Sequence, residues 1–167
     1  MSREELQAVQ TPLKNRYRDD PEAAVVTMTA EGDLDSTSVS CSVQTGRALV
    51  QAGLHEASGG DGTLACSGDM LLQALVACAG VTLKAVATNR DIPLDGGRVT
   101  AEGDLDFRGT LAVDRDAPVG FREIRLRFDL PSVPETELPT LLKLTERYCV
   151  VYQTLASGVP VTVSAND

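Results

Sequence analysis

The residues able to do redox or nucleophilic chemistry in this chain are four thiols, Cys41, Cys66, Cys78 and Cys149, and one imidazole, His55. A single histidine excludes most imidazole-based catalysis unless His55 itself acts. No C-x-x-C pair occurs, which argues against a structural zinc site. A thiol attacks only as the thiolate. A reactive cysteine therefore needs positive potential beside it, from a cation or from the start of a helix, because burial alone raises its pKa. Cys78 lies at the centre of DMLLQALVACAGVTLKAVAT, residues 69–88, where only Asp69, Gln73 and Lys84 are strongly polar. It is either a small packed hydrophobe or a nucleophile kept in a dry pocket. Cys149, in ERYCVVYQTL, follows Arg147 and stands where a helical segment can begin. Either feature supplies positive potential, and the alternative is plain packing beside Val150 and Val151. Cys41, in SVSCSVQ, shares the face of Val39 and Val43 by two-residue alternation and reads as core. Cys66, in TLACSGD, reads as an incidental loop thiol, with a redox-sensing role for Cys66 or Cys41 as the alternative.

The elements that must position these thiols follow from periodicity. The first 20 residues are polar, with a short helix over about 3–18 that ends before Pro21. AAVVTMTAEGDLD and SVSCSVQTG read as strands, and RALVQAGLH as a third. HEASGGDGT is a glycine-rich loop, and Ser67 is placed to cap a helix from about Asp69 to Thr88. GRVTAEGDLDFRGTL and GFREIRLRFDLP follow as strands. In the second, Phe121, Ile124, Leu126, Phe128 and Leu130 are apolar, with Arg122, Arg125, Arg127 and Asp129 largely on the other face, the pattern of a sheet with one wet face. A helix spans Pro134 to Tyr148, CVVYQTLASG continues in helical pattern to Gly158, and VPVTVSA is a last strand. The expected class is α+β, with a mostly antiparallel sheet on a long buried central helix, in one domain over residues 1–167. TAEGDLD occurs at 29–35 and again at 100–106 and reads as two similar strand-and-turn segments. Its carboxylates lack the spacing of a calcium loop, and no metal is expected.

Composition narrows the partners. A net charge of −9 repels phosphate backbones and anionic lipid, so neither nucleic acid nor membrane is an expected partner. The apolar run at 69–88 is interrupted by Gln73 and Lys84 and reads as a core helix rather than a membrane span. With aromatics at 4% and no tryptophan, the core must be aliphatic. No secretory leader is seen in the first 20 residues, and reduced thiols suit a cytoplasmic setting.

Two segments together resemble the OsmC/Ohr family. SGDMLLQALVACAGVTLKAV, preceded by GGDGT, is similar to the family's first cysteine motif, and ERYCVVYQTLASGVPVTV to its second. The resemblance runs from about Pro21 to Ser164. It implies a cytoplasmic, intertwined homodimer with two long helices buried at its centre and the active sites at the subunit interface. It also implies a thiol-dependent peroxidase acting on small apolar organic hydroperoxides in oxidative-stress defence. In that role Cys78 is the peroxidatic residue and Cys149 the resolving one, with no bound cofactor and an external dithiol as reductant. The chain departs from the best-defined Ohr members at two places. Gly68 stands where they carry a glutamate ten residues before the first cysteine, and EGDLDST holds no arginine where they use one on the thiolate. Asp69 is the nearest acidic residue, and Arg16, Arg18 and Arg47 are the candidate substitutes. This marks a divergent OsmC-like branch. Its alternative function is a non-catalytic binding module with an apolar pocket at the dimer interface.

Overall fold

The computed structural model describes residues 2–20, 32–34, 40–44 and 49–165. Among them the chain runs α1 (Arg3–Asp19), β1 (Gly32–Leu34), β2 (Ser40–Gln44), β3 (Leu49–Gly53), a 3-10 turn (Glu56–Ser58), β4 (Ala65–Cys66) and α2 (Ser67–Asn89). It continues through β5 (Arg98–Leu105), α3 (Phe107–Thr110), β6 (Phe121–Asp129), α4 (Leu138–Tyr148) and α5 (Val150–Ser157). Strands β1 to β4 form one sheet in that order. Its first two pairings are antiparallel and the β3–β4 pairing is parallel, while β5 pairs with β6 in a second sheet. The class is α+β, as the patterning requires.

The chain forms two compact units. The first comprises Met1–Gln7, Ala74–Thr100 and Arg127–Asp167; the second comprises Ala8–Gln73 and Ala101–Leu126. The core of the first unit joins Leu83 and Ala87 of α2, Ile92 and Leu94 after it, Leu130 and Val133 after β6, and Leu141 of α4. This is an aliphatic core, as expected for a chain so poor in aromatics. Gly97 makes the return from α2 to β5 possible. Its φ is +122°, and a Cβ there would meet the Asp129 carbonyl oxygen at 2.8 Å. In the second unit Cys41 pairs by register with Leu34 and Ala52. The face its side chain takes lies outside the described residues, as do the side chain of Arg18, all of Arg47 and most of the strand read over 23–35.

Burial of α2 is one-sided. Its fully buried residues are Leu75, Ala79, Leu83 and Ala87, a single ridge of four-residue steps. The adjoining ridge, Cys78, Thr82 and Val86, is half-buried, and the next, Ala77 and Val81, is exposed. The helix is apolar on nearly every side, yet within one chain only one side is covered. By length and composition α2 is apolar enough to cross a membrane, a measure that core helices of soluble proteins also meet.

Two further differences have physical causes. The strand read through GDLDFRGTL stops at Leu105, because the Asp106 carboxylate accepts from the Arg108 N–H at 3.1 Å and starts α3 instead. The carboxylates of this second TAEGDLD copy are held by arginines. Arg108 donates to Asp106 at 2.6 Å and Arg125 to Asp104 at 2.8 Å, and each arginine holds its partner's carboxyl below the usual range. The last strand, over 159–165, does not form among the described residues. A strand needs a ladder partner, and Val161 and Val163 stand 81% and 94% exposed instead.

Candidate functional site

The site in the first unit is built by the ends of two helices and the side of a third. Helix α4 closes with the Cys149 N–H donating to the Thr145 carbonyl at 2.9 Å. Cys149 then leaves helical geometry, with φ −75° and ψ 109°, and is at once the C-cap of α4 and the N-cap of α5. Helix α5 resumes at Val150, so its first backbone N–H groups have no partner within the helix. An N-cap side chain ordinarily accepts from them; no side-chain hydrogen bond closes this cap, although the Tyr152 and Val151 N–H groups lie close enough to the Cys149 sulfur to act on it. The Val151 and Val150 N–H groups lower the Cys78 thiol, and the Tyr152 and Val151 N–H groups act in the same sense on Cys149.

Cys149 lies beside Cys78, and Thr82 stands one turn further along α2. Burial pushes the Cys78 thiol up. The Val151 N–H, the Cys149 thiol, the Val150 N–H and the Thr82 hydroxyl, in that order, outweigh burial and hold it below the ordinary cysteine value. Cys149 is the opposite case. Its residue is 1% exposed, and burial is the largest influence raising its thiol. The Tyr152 N–H works against burial, but the adjacent Cys78 sulfur pushes the thiol further up. The two neighbouring thiols are thus shifted in opposite directions, the half-buried Cys78 down and the buried Cys149 up. Both thiols are free.

The sequence identified both cysteines and the helix start between them, and the structure brings the two sulfurs together. It assigns the positive potential differently. Arg147 is exposed and lies over its neighbour's ring, 5.7 Å from the Tyr148 centroid, and the groups acting most strongly on Cys78 include no charged side chain. Arg16 is exposed on α1. Thr82 and the two valine amides were not singled out in the sequence; the four-residue step from Cys78 to Thr82 on one helix is the signal that points to the first.

In the second unit, a cavity of about 250 Å³ is lined by His55, Cys66, Gly68, Asp69, Leu72 and the Phe107 and Phe121 rings, among others. His55 stacks on Phe107 with centroids 5.0 Å apart, and its Nδ1 accepts from the Ala57 N–H at 3.0 Å. A Cβ on Gly68 would meet Phe121, Cys66 and Leu105 at ordinary contact distances of 3.5–3.6 Å. Position 68 therefore has room for a side chain that this sequence does not supply. Asp69 sits exposed in the first turn of α2, where its charge suits the helix dipole.

The opposed shifts have a measurable pH signature. Alkylation of Cys78 by iodoacetamide, followed on its own peptide by mass spectrometry, should reach half its maximal rate below about pH 8.5, and that of Cys149 above it. The linkage to stability has opposite signs for the two thiols. The Cys78 contribution is present above its unfolded pKa and is lost as pH falls through its lower folded value. The Cys149 contribution is present below its unfolded pKa and is lost as pH rises through its higher folded value.

Comparison with known proteins agrees with this architecture. Residues 60–164 match the model of the family described as OsmC-like protein. An OsmC-like protein from Mycoplasma pneumoniae superposes with a TM-score of 0.64 at 18% identity, over 80% of this chain and 89% of that one. An organic hydroperoxide resistance protein from Elizabethkingia anophelis gives 0.64 at 17% identity, over 81% and 91% of the two chains. One from Legionella pneumophila, described as OsmC and a predicted redox protein, gives 0.62 at 15% identity, over 78% and 91%. At these identities the likeness to the solved structures is one of fold. No match was found among the curated proteins. The matched family model spans well over half of the sequence and takes in Cys66, Cys78, Cys149 and the start of α5, and on that ground the chain belongs to the OsmC-like family.

Proposed function

We propose that the protein is a thiol-dependent peroxidase that reduces organic hydroperoxides with two cysteines, Cys78 as the peroxidatic residue and Cys149 as the resolving one. The observation that carries this reading is the adjacency of the two thiols, a half-buried Cys78 held below the ordinary cysteine value beside a buried Cys149 held above it. The Cys78 thiolate attacks the distal oxygen of the hydroperoxide and the O–O bond breaks. The departing alkoxide takes the proton of Cys149 and leaves as alcohol, and Cys78 becomes a sulfenic acid. Cys149, now a thiolate, attacks the Cys78 sulfur. The S–O bond breaks, hydroxide leaves and is protonated to water, and a disulfide forms. An external dithiol returns two electrons and two protons and restores both thiols.

The surroundings favour an apolar substrate. Ala74, Ala77 and Val81 flank Cys78 on α2 and are exposed, as is Val150 beside it. The same surface favours a homodimer. The bare ridge of α2 and the valines of 159–163 are apolar faces that a second copy covers, the latter by accepting the missing ladder partner. A cytoplasmic location and a part in oxidative-stress defence belong to this reading. The alternative, a non-catalytic binding module, is favoured by the roomy position at Gly68 and the cavity beside it.

The test is non-reducing peptide mass spectrometry after one equivalent of cumene hydroperoxide, with hydrogen peroxide for comparison. The expected result is a Cys78–Cys149 linkage that forms faster with the organic peroxide. Folded protein whose two thiols stay free would sink the peroxidase and leave the binding module.

A further inference from the structure

We propose that the cavity of the second unit is a binding site for a small organic cation, a primary ammonium on a short arm of an aromatic ring. The site is independent of the reading of Cys78, which lies in the first unit. The cavity holds about 250 Å³, and the Phe107 and Phe121 rings wall it together with Leu72 and Leu105. An apolar cavity of about 150 Å³ has room for benzene, so this one takes a ring with a short side arm. The walls are fixed before any ligand arrives. Phe107 is the first residue of α3, seated by the Asp106 cap, and the His55 ring stacks on it with centroids 5.0 Å apart. The His55 Nδ1 accepts from the Ala57 N–H at 3.0 Å, which sets the orientation of that ring in turn. Phe121 lies close against β5 because residue 103 is glycine: a Cβ there would stand 2.5 Å from the ring. Walls held in place by other contacts leave little ordering for a ligand to impose.

The sign of the ligand's charge follows from the acidic residue at the cavity. Asp69 lines it from the first turn of α2. Asp104 and Asp106 of this unit are held by Arg125 and Arg108, whereas among the described residues no cation pairs with Asp69. The helix start favours an anion, and the Asp69 carboxylate already supplies it. A second anion in the cavity would be repelled, while an ammonium gains a charge-assisted hydrogen bond. The faces of Phe107 and Phe121 suit both halves of such a ligand: ring packs on ring, and the cation is drawn to the electron-rich face. Of the other polar groups at the cavity, the His55 Nδ1 is already engaged as an acceptor and the Cys66 thiol is a weak donor and acceptor. The carboxylate is therefore the strongest polar anchor.

Saturation-transfer NMR on the full chain, with 2-phenylethylamine as the probe, tests this. Two compounds of similar shape are the controls, 2-phenylethanol without charge and phenylacetate with the opposite charge. The amine is expected to bind at about millimolar concentration, the alcohol at least about tenfold more weakly, and phenylacetate not at all. Asp69→Asn should weaken the amine by about tenfold and leave the alcohol unchanged. Gly68→Leu, which puts a side chain into the room beside Phe121, Cys66 and Leu105, should abolish binding of both. Circular dichroism checks that each variant folds. Wild-type protein gives the location without any variant. At about ten times its dissociation constant the amine should slow iodoacetamide alkylation of Cys66, read on its own peptide, at least about fivefold and leave Cys78 unaffected. An amine that does not bind overturns the proposal, and so does phenylacetate or the alcohol binding as well as the amine. Binding that leaves Cys66 unprotected, or that a folded Gly68→Leu variant retains, overturns it too. So does binding that Asp69→Asn leaves unchanged, because a net charge of −9 would then be drawing the amine to the whole surface. Failure of the peroxidase reading shows elsewhere, as free thiols after cumene hydroperoxide.

Discussion

Replacing Cys78 with serine is expected to lower cumene hydroperoxide turnover by more than about a thousandfold, while Cys149→Ser leaves a single stoichiometric turnover and then stops. The two losses differ because, in the proposed mechanism, the two sulfurs do different work. Cys78 is half-buried and held below the ordinary cysteine value, so it is the sulfur a peroxide can reach in its nucleophilic form. Without it no electron pair is available to the distal oxygen. Cys149 is buried and raised, so it contributes a proton first and its sulfur second. Without it the sulfenic acid forms but has no thiol to condense with. Rapid-quench assays with a sulfenic-acid trap such as dimedone distinguish the cases: no adduct in Cys78→Ser, and a persistent adduct on Cys78 in Cys149→Ser. The removal of the Cys149 donor should also slow adduct formation, most strongly for hydroperoxides with poor leaving groups, since the departing alkoxide loses its proton source. An adduct on Cys66 in place of Cys78 would move the chemistry to the second unit and reject the assignment.

The second large effect is on assembly. Wild-type protein is expected to sediment as a dimer, and Val81→Asp as a monomer of 17.7 kDa, with association weakened by at least about a hundredfold. Val81 is 72% exposed on one chain and continues the bare ridge of α2 above Ala77. A lone aspartate there costs little in an isolated chain, because it stays in water. In a dimer that buries this ridge it is a desolvated charge without a partner. Analytical ultracentrifugation across a concentration series measures both states, and circular dichroism checks that the variant keeps its helices. A monomeric wild type would remove the homodimer, and with it the account of why the opposite side of α2 is apolar.

Much of the fold was legible because it rests on local period. The Val-rich and alternating runs gave β2, β3 and β6, and the apolar run with Ser67 ahead of it gave α2 to within two residues of its ends. The break at Cys149 was legible only as a place where a helix could start. That α4 ends and α5 begins there, with extended backbone between them, depends on Leu141 and Thr145 being buried on one side while Val150 is free on the other. The expected last strand at 159–165 shows the limit from the other direction. Alternating valines record a preference for a ladder, and whether a partner strand is present is not a property of that segment.

By itself the sequence determined the α+β class, the aliphatic core, the two cysteine-bearing segments and, through them, the family. These follow from side-chain period, composition and short motifs, which act between near neighbours. The tertiary structure alone decided which groups meet at the Cys78 sulfur. Residues 78 and 149 are joined by a core that buries Leu83, Ala87 and Leu141, and that core sets the rotation of α2 and the entry point of α5. From this comes the neighbourhood of the Cys78 sulfur, with Cys149 and the first amides of α5 beside it. Backbone N–H groups exist at every residue and leave no mark in a sequence. Only packing determines where those at a helix start lie, and no charged side chain marks the place.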